Sequence, residues 1–178
     1  MEREQLPLGG AMLLRPRIYS DERGLFRELY SAERYRELGI GDEFVQDNLS
    51  ISGRGVLRGL HGDARMSKLA GPMSGSVFDV IVDLRPASPT YRRWYGTTLR
   101  ASEGTQIYVP HGFLHGFLAL EDETIFGYKQ SAAYDQAHEF AVAWNDPEIG
   151  IEWPLGSLPP ILSPRDAAAP LLASLPKP

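Results

Sequence analysis

The sequence contains no cysteine. That excludes disulfides, thiol nucleophiles and Cys-ligated zinc together, and it fits a reducing compartment. Histidine is scarce at four residues, which leaves little from which to build a histidine-rich metal centre. No stretch approaches the roughly 20 apolar residues that cross a bilayer. The opening MEREQLPLGGAMLLRPR interrupts its short apolar piece with Gly and Arg, unlike the long apolar core of a signal peptide. A cytoplasmic protein with no membrane partner is expected. An excess of positive charge is missing too: 18 Lys and Arg against 23 Asp and Glu give −5. The chain as a whole repels a nucleic-acid backbone, and no nucleic-acid partner is expected.

Motifs are also absent. There is no G-x-G-x-x-G or P-loop to cradle a phosphate and no G-x-S-x-G nucleophile elbow. His111 and His115 stand four apart, but PHGFLHGF holds Pro and two Gly and makes a poor helix. Extended, the segment separates the two imidazoles by roughly 13 Å, so a shared metal ion is not expected.

What is present is turn and strand. The 18 Gly and 14 Pro point to many tight turns, and 178 residues suit one domain, 1–178, that buries about 70% of its unfolded surface. Short β-branched or aromatic runs recur about every ten residues: FVQDNLSIS (44–52), GVLRGLH (55–61), GSVFDVIVDL (75–84), TQIYVP (105–110), LHGFLAL (114–120) and TIFGYKQ (124–130). This spacing predicts an all-β sandwich or barrel. VFDVIVDL is nearly continuous in apolar character and reads as a central strand covered on both faces, where Asp79 and Asp83 need partners. Only SAERYRELG (31–39) predicts a helix, capped by Ser31 and ended by Gly39, with Tyr35 and Leu38 on one face. The Pro-rich end PLGSLPPILSPRDAAAPLLASLPKP reads as a tail wrapping the domain, irregular from about residue 165 and mobile over its last few residues.

The chemistry left open by these exclusions is proton transfer. GVLRGLHGDARMSKL gathers Arg58, His61 and Lys68, which repel one another until an anion collects them. An imidazole titrates near neutral pH and a phenol such as Tyr128 can donate a proton; together they suit proton abstraction and return. On the residues alone, a strand-end histidine such as His61 is more often a hydrogen-bonded structural residue than a base, Arg58 and Lys68 are also readable as a solvated face and Tyr128 as core.

The blocks DERGLFRELY, FVQDNLSIS, GVLRGLH, VFDVIVDLRPASPTY, IYVPHGFLHGF, FGYKQSAAY, WNDPEIGIEWP and PILSPRD follow one another in an order that resembles the dTDP-4-dehydrorhamnose 3,5-epimerase family. The resemblance implies a cupin-like jelly-roll with a few short peripheral helices, a homodimer, no metal and no cofactor. It implies a nucleoside-diphosphate 4-keto-6-deoxysugar as substrate, most often thymidine-linked. His61 would be the base with Asp166 as its partner, Lys68 would stabilise the enolate oxygen, and Tyr128 would be the acid. Arg23, Phe26, Glu28, Gln46, Asp47, Asn48, Arg58, His115, Glu139 and Arg165 fall where the family contacts its substrate, and Tyr134 where an aromatic stacks on the base. His61 is followed by Gly62 and Asp63 where the usual pattern has an aromatic and Gln. This variant resembles a branch that includes epimerases of GDP-linked heptoses. A GDP- or CDP-sugar epimerase, a 3,4-ketoisomerase on the same fold and a non-catalytic sugar-binding module are the alternatives.

Overall fold

The computed structural model describes residues 1–157 and 159–175. In chain order its strands are β1 (Glu2–Gln5), β2 (Met12–Arg15), β3 (Ile18–Asp21), β4 (Gly24–Arg27), β5 (Gln46–Ser52), β6 (Leu57–Gly62), β7 (Lys68–Ser74), β8 (Ser76–Asp83), β9 (Trp94–Arg100), β10 (Gln106–Val109), β11 (Phe113–Ala119), β12 (Thr124–Gln130) and β13 (Phe140–Ala141). Helix α1 spans Ala32–Glu37 and helix α2 Pro164–Ala167. The strands form a six-stranded sheet ordered β1-β2-β10-β7-β12-β5, a five-stranded sheet ordered β13-β6-β11-β8-β9 and a separate β3-β4 hairpin.

The two large sheets stack because each presents an apolar face to the other. Val77, Ile81, Phe113 and Phe117 of the five-stranded sheet pack against Ala70, Ile107 and Phe126 of the six-stranded one. Phe117 stacks on Phe126 with ring centroids 4.2 Å apart. Each such side chain contributes about 1.5–3 kcal/mol by leaving water. Parts of the outer faces are covered as well. Tyr35 and Ile40, in and just after α1, pack over Leu14 and Leu69, while Val142, Ile149 and Leu172 cover Leu60, Val80 and Leu114.

Gly75 alone carries the chain from β7 in one sheet to β8 in the other. Its φ is +72°, and a Cβ there would lie 2.6 Å from Thr124 Oγ1, so only glycine fits.

Each expected strand is present, shifted by at most two residues at an end. Helix α1 has Ser31 as N-cap, its side chain accepting from the Arg34 N–H, and Gly39 follows it at φ +94°. VFDVIVDL is interior, yet it lies fourth of five; the middle strand is β11. The Pro-rich tail does pack over the sheet, but it is less irregular than its composition predicts. Ile161 bridges Val56 in parallel, α2 forms at residue 164, and Leu172–Ser174 make a 3-10 turn. The expected mobility of the last few residues falls on 176–178, outside the described residues. No helix among the described residues is long and apolar enough to cross a membrane.

Candidate active site

A cavity of about 420 Å³ opens between the sheets. Arg58, His61 and His115 line it from the five-stranded sheet, Lys68 and Tyr128 from the six-stranded one, and Arg165 and Asp166 from α2.

Residues 58 and 61 would face opposite ways in a regular strand, since side chains alternate. Between them Gly59 adopts φ +130°, and the β6–β11 pairing shifts register between His115 and Phe117. A Cβ on Gly59 would sit 2.6 Å from the Gly116 Cα. This irregularity turns Arg58 and His61 into the same hollow. Arg58 Nε donates to Ser52 Oγ at 3.1 Å, fixing the guanidinium.

Asp166 comes from the other end of the chain. Ser163 caps α2, accepting the Asp166 N–H at 3.1 Å, and Pro164 fits its first turn. The Asp166 Oδ1 then lies 2.6 Å from His61 Nε2. Burial pushes the Asp166 carboxyl up, but the His61 bond and charge, Ser163 and the Gly59 N–H outweigh it and hold the group below the ordinary carboxylate range. His61 therefore has Nε2 engaged by a carboxylate and Nδ1 left for chemistry.

Burial draws the Lys68 ammonium down, against the opposing charges of Glu139, Asp63 and Asp79. Burial pushes the Tyr128 phenol up, Glu139 adds to this and Arg58 opposes it. Tyr128 thus holds its proton at neutral pH. His115 Nε2 lies 2.9 Å from Asp79 Oδ2, the partner that Asp79 requires inside its strand. Asp83 finds Arg85, Ser88 and Thr90.

Seven of the expected residues meet here; the others divide. Glu139 binds Arg165 at 2.5 Å and accepts from the Tyr134 hydroxyl at 3.2 Å, so both hang on a cavity residue. Gln46 accepts the Tyr134 N–H and donates to Asn48, which donates to Gln130. Strand alternation turns Asp47 to the opposite face of β5, where Lys129 binds it at 2.8 Å, outside the lining of this cavity. Arg23, Phe26 and Glu28 also do not join the site of their own chain. Arg23 pairs with Asp21 and Phe26 is 72% exposed, both in the β3–β4 hairpin, and Glu28, just past it, binds Arg34. Asp63 of the unusual loop accepts two bonds from the Arg65 side chain rather than entering the cavity. Ser50 and Ser163, neither singled out from the sequence, do line it.

The chain matches the dTDP-4-dehydrorhamnose 3,5-epimerase family over residues 5–174. It is 46% identical to a dTDP-4-dehydrorhamnose 3,5-epimerase of Salmonella typhimurium over 165 residues, covering 90% of each chain. A Streptomyces niveus dTDP-4-dehydrorhamnose 3-epimerase shares 43% identity over 173 residues, 94% of this chain and 83% of that one. Among solved structures, a dTDP-6-deoxy-D-glucose-3,5-epimerase from Legionella pneumophila in complex with dTDP-4-keto-L-rhamnose superposes with a TM-score of 0.94 at 43% identity, covering 98% of this chain and 94% of that one. With its two-sheet jelly-roll, a His–Asp pair in the inter-sheet cavity and a match along nearly its whole length, the chain belongs to the dTDP-4-dehydrorhamnose 3,5-epimerase family.

Proposed function

We infer that the protein is an epimerase of deoxysugar biosynthesis that inverts carbon 3, carbon 5 or both in a dTDP-linked 4-keto-6-deoxysugar. One observation carries the reading. His61, backed by Asp166, and Tyr128 line a single cavity from opposite sheets in a chain of this family.

A hydrogen on carbon next to a ketone is weakly acidic, and its removal places negative charge on the ketone oxygen. In this reading His61 Nδ1 takes that hydrogen as a proton, and Asp166 stabilises the imidazolium that forms. The Lys68 ammonium stabilises the enolate oxygen. Tyr128 then returns a proton to the opposite face of the same carbon, which inverts it. Arg58 and Arg165 hold the diphosphate, to which a planar guanidinium can donate two parallel bonds, and Tyr134 stacks on the base.

A homodimer is part of the proposal. β5 is an edge strand whose Leu49 and Ile51 are 61% and 62% exposed, an apolar edge that invites a partner. Arg23, Phe26 and Glu28 lie away from their own cavity, on surface that a second copy can meet. The proposed compartment is the cytoplasm. Tyr128 on the sheet opposite the base supports epimerisation over carbonyl migration, and the intact His61–Asp166 pair supports catalysis over binding alone.

Proton NMR of a dTDP-4-keto-6-deoxysugar incubated with the protein in deuterated water tests the reading. Deuterium appears at carbon 3, carbon 5 or both, and the configuration of the product assigns the inverted centre. Absence of wash-in with this substrate contradicts the reading.

A further inference from the structure

Asp79 is completely buried and sits on the inward face of β8 between Val77 and Ile81, both part of the apolar core. One oxygen reaches His115, but Oδ1 has no hydrogen-bond partner among the described residues. A buried carboxylate oxygen left unpaired costs about 1–3 kcal/mol or more, and a hydrophobic residue of similar volume serves packing better. Packing alone gives no reason for a carboxylate at this position.

His115 is the register partner of His61 on the neighbouring strand, and both line the cavity. Each imidazole gives Nε2 to a carboxylate: His61 to Asp166 and His115 to Asp79. We propose that Asp79 is a positioning residue of the epimerase, one that holds the His115 ring with Nδ1 offered to the sugar and sets its free oxygen as negative charge for the Lys68 ammonium. This rests on the epimerase reading above.

The chemistry of the pair follows from its charges. An Asp79 carboxylate accepts the Nε2–H of His115, so Nδ1 keeps a lone pair and accepts a hydrogen bond from a sugar hydroxyl. A cationic His115 would stand beside Lys68, Arg58 and the imidazolium that His61 becomes. The negative charge of Asp79 offsets that crowding of cations.

Lys68 feels Glu139 from the segment before β13, Asp63 from the β6–β7 loop and Asp79 from β8, all of which raise it against burial. His61, His115, Asp166, Arg58, Arg165 and Tyr128 are the other ionisable groups of the cavity. Neutralising Asp79 removes one of the three charges that keep Lys68 protonated. The alkaline limb of the kcat profile then moves to lower pH.

The test compares the full-length wild type with Asp79→Asn, which keeps shape and loses charge, and with the smaller Asp79→Ser. Steady-state kinetics on a dTDP-4-keto-6-deoxysugar across pH are read beside thermal melts. The expected result is a kcat about tenfold lower with KM within about threefold, an alkaline limb displaced to lower pH and, for Asp79→Asn, a Tm at or above that of the wild type. A folded variant with wild-type kcat and an unmoved alkaline limb overturns the proposal. So does a kcat loss that merely follows the unfolded fraction. Deuterium wash-in by the wild type is measured in parallel. If it is absent, the epimerase reading fails; if it is present and Asp79→Asn matches the wild type, only the role of Asp79 fails.

Discussion

His61 Nε2 lies 2.6 Å from Asp166 Oδ1, joining the end of a sheet strand to a four-residue helical turn 105 residues later. The contact holds one ring nitrogen by a carboxylate and leaves the other for the proposed role of base. Asp166→Asn retains the shape and removes the charge that steadies the imidazolium. Steady-state kinetics are expected to show kcat reduced about 10²-fold with KM little changed.

In the proposed mechanism Tyr128 separates the two halves of the reaction. Burial keeps its phenol protonated, and no other tyrosine lines the cavity among the described residues. Tyr128→Phe is expected to retain proton removal by His61 and to lose correct-face return. Proton NMR in deuterated water reads both: deuterium enters the starting ketosugar while inverted product falls at least about 10²-fold. Equal wash-in and product would remove Tyr128 from the mechanism.

How far the sequence alone reached can be judged residue by residue. GVLRGLH and FGYKQ were legible because a strand end with an imidazole, a guanidinium and a nearby ammonium is chemically conspicuous. The ordered blocks then tied PILSPRD, far along the chain, to the same site. KLAGPMS was not legible as β7, because Gly71 and Pro72 read as breakers although Pro72 sits beside a register shift in the β12 pairing. The polar EREQ of β1 offers no alternation, since it is an edge strand exposed throughout. The resemblance groups Asp47 with Gln46 and Asn48, and a period of two sends it to the opposite face of β5 from both. Asp79 did carry a signal, a lone carboxylate in an apolar strand, but the sequence does not reveal which partner it finds.

Dimerisation rests on the exposed apolar edge at β5. Light scattering coupled to size exclusion is expected to give twice the 19.8 kDa of one chain. Leu49→Glu places charge on that edge and is expected to shift the protein toward monomer while the melt is retained. A wild-type monomer would contradict this part of the account.

Asp83 predicts a pH signature in stability. Burial pushes its carboxyl up, but Arg85, Ser88 and Thr90 hold it far below the carboxylate range. A depressed native pKa contributes stability that is complete above the unfolded value, near 4, and is lost as pH falls towards the native one. Removing this buried carboxylate from its partly exposed partners with Asp83→Ala is expected to cost about 3 kcal/mol at pH 7 in urea unfolding. The gap to the wild type narrows from about pH 4 downwards.

In the proposed reaction one imidazole, that of His61, removes the hydrogen beside the ketone. Deuterium wash-in into a dTDP-4-keto-6-deoxysugar, measured for the wild type and His61→Ala at equal concentration and with matched melts, tests it most directly. Incorporation by the wild type and a loss of at least about 10²-fold at every exchanging carbon in the variant are expected. Incorporation by His61→Ala at the wild-type rate would contradict it.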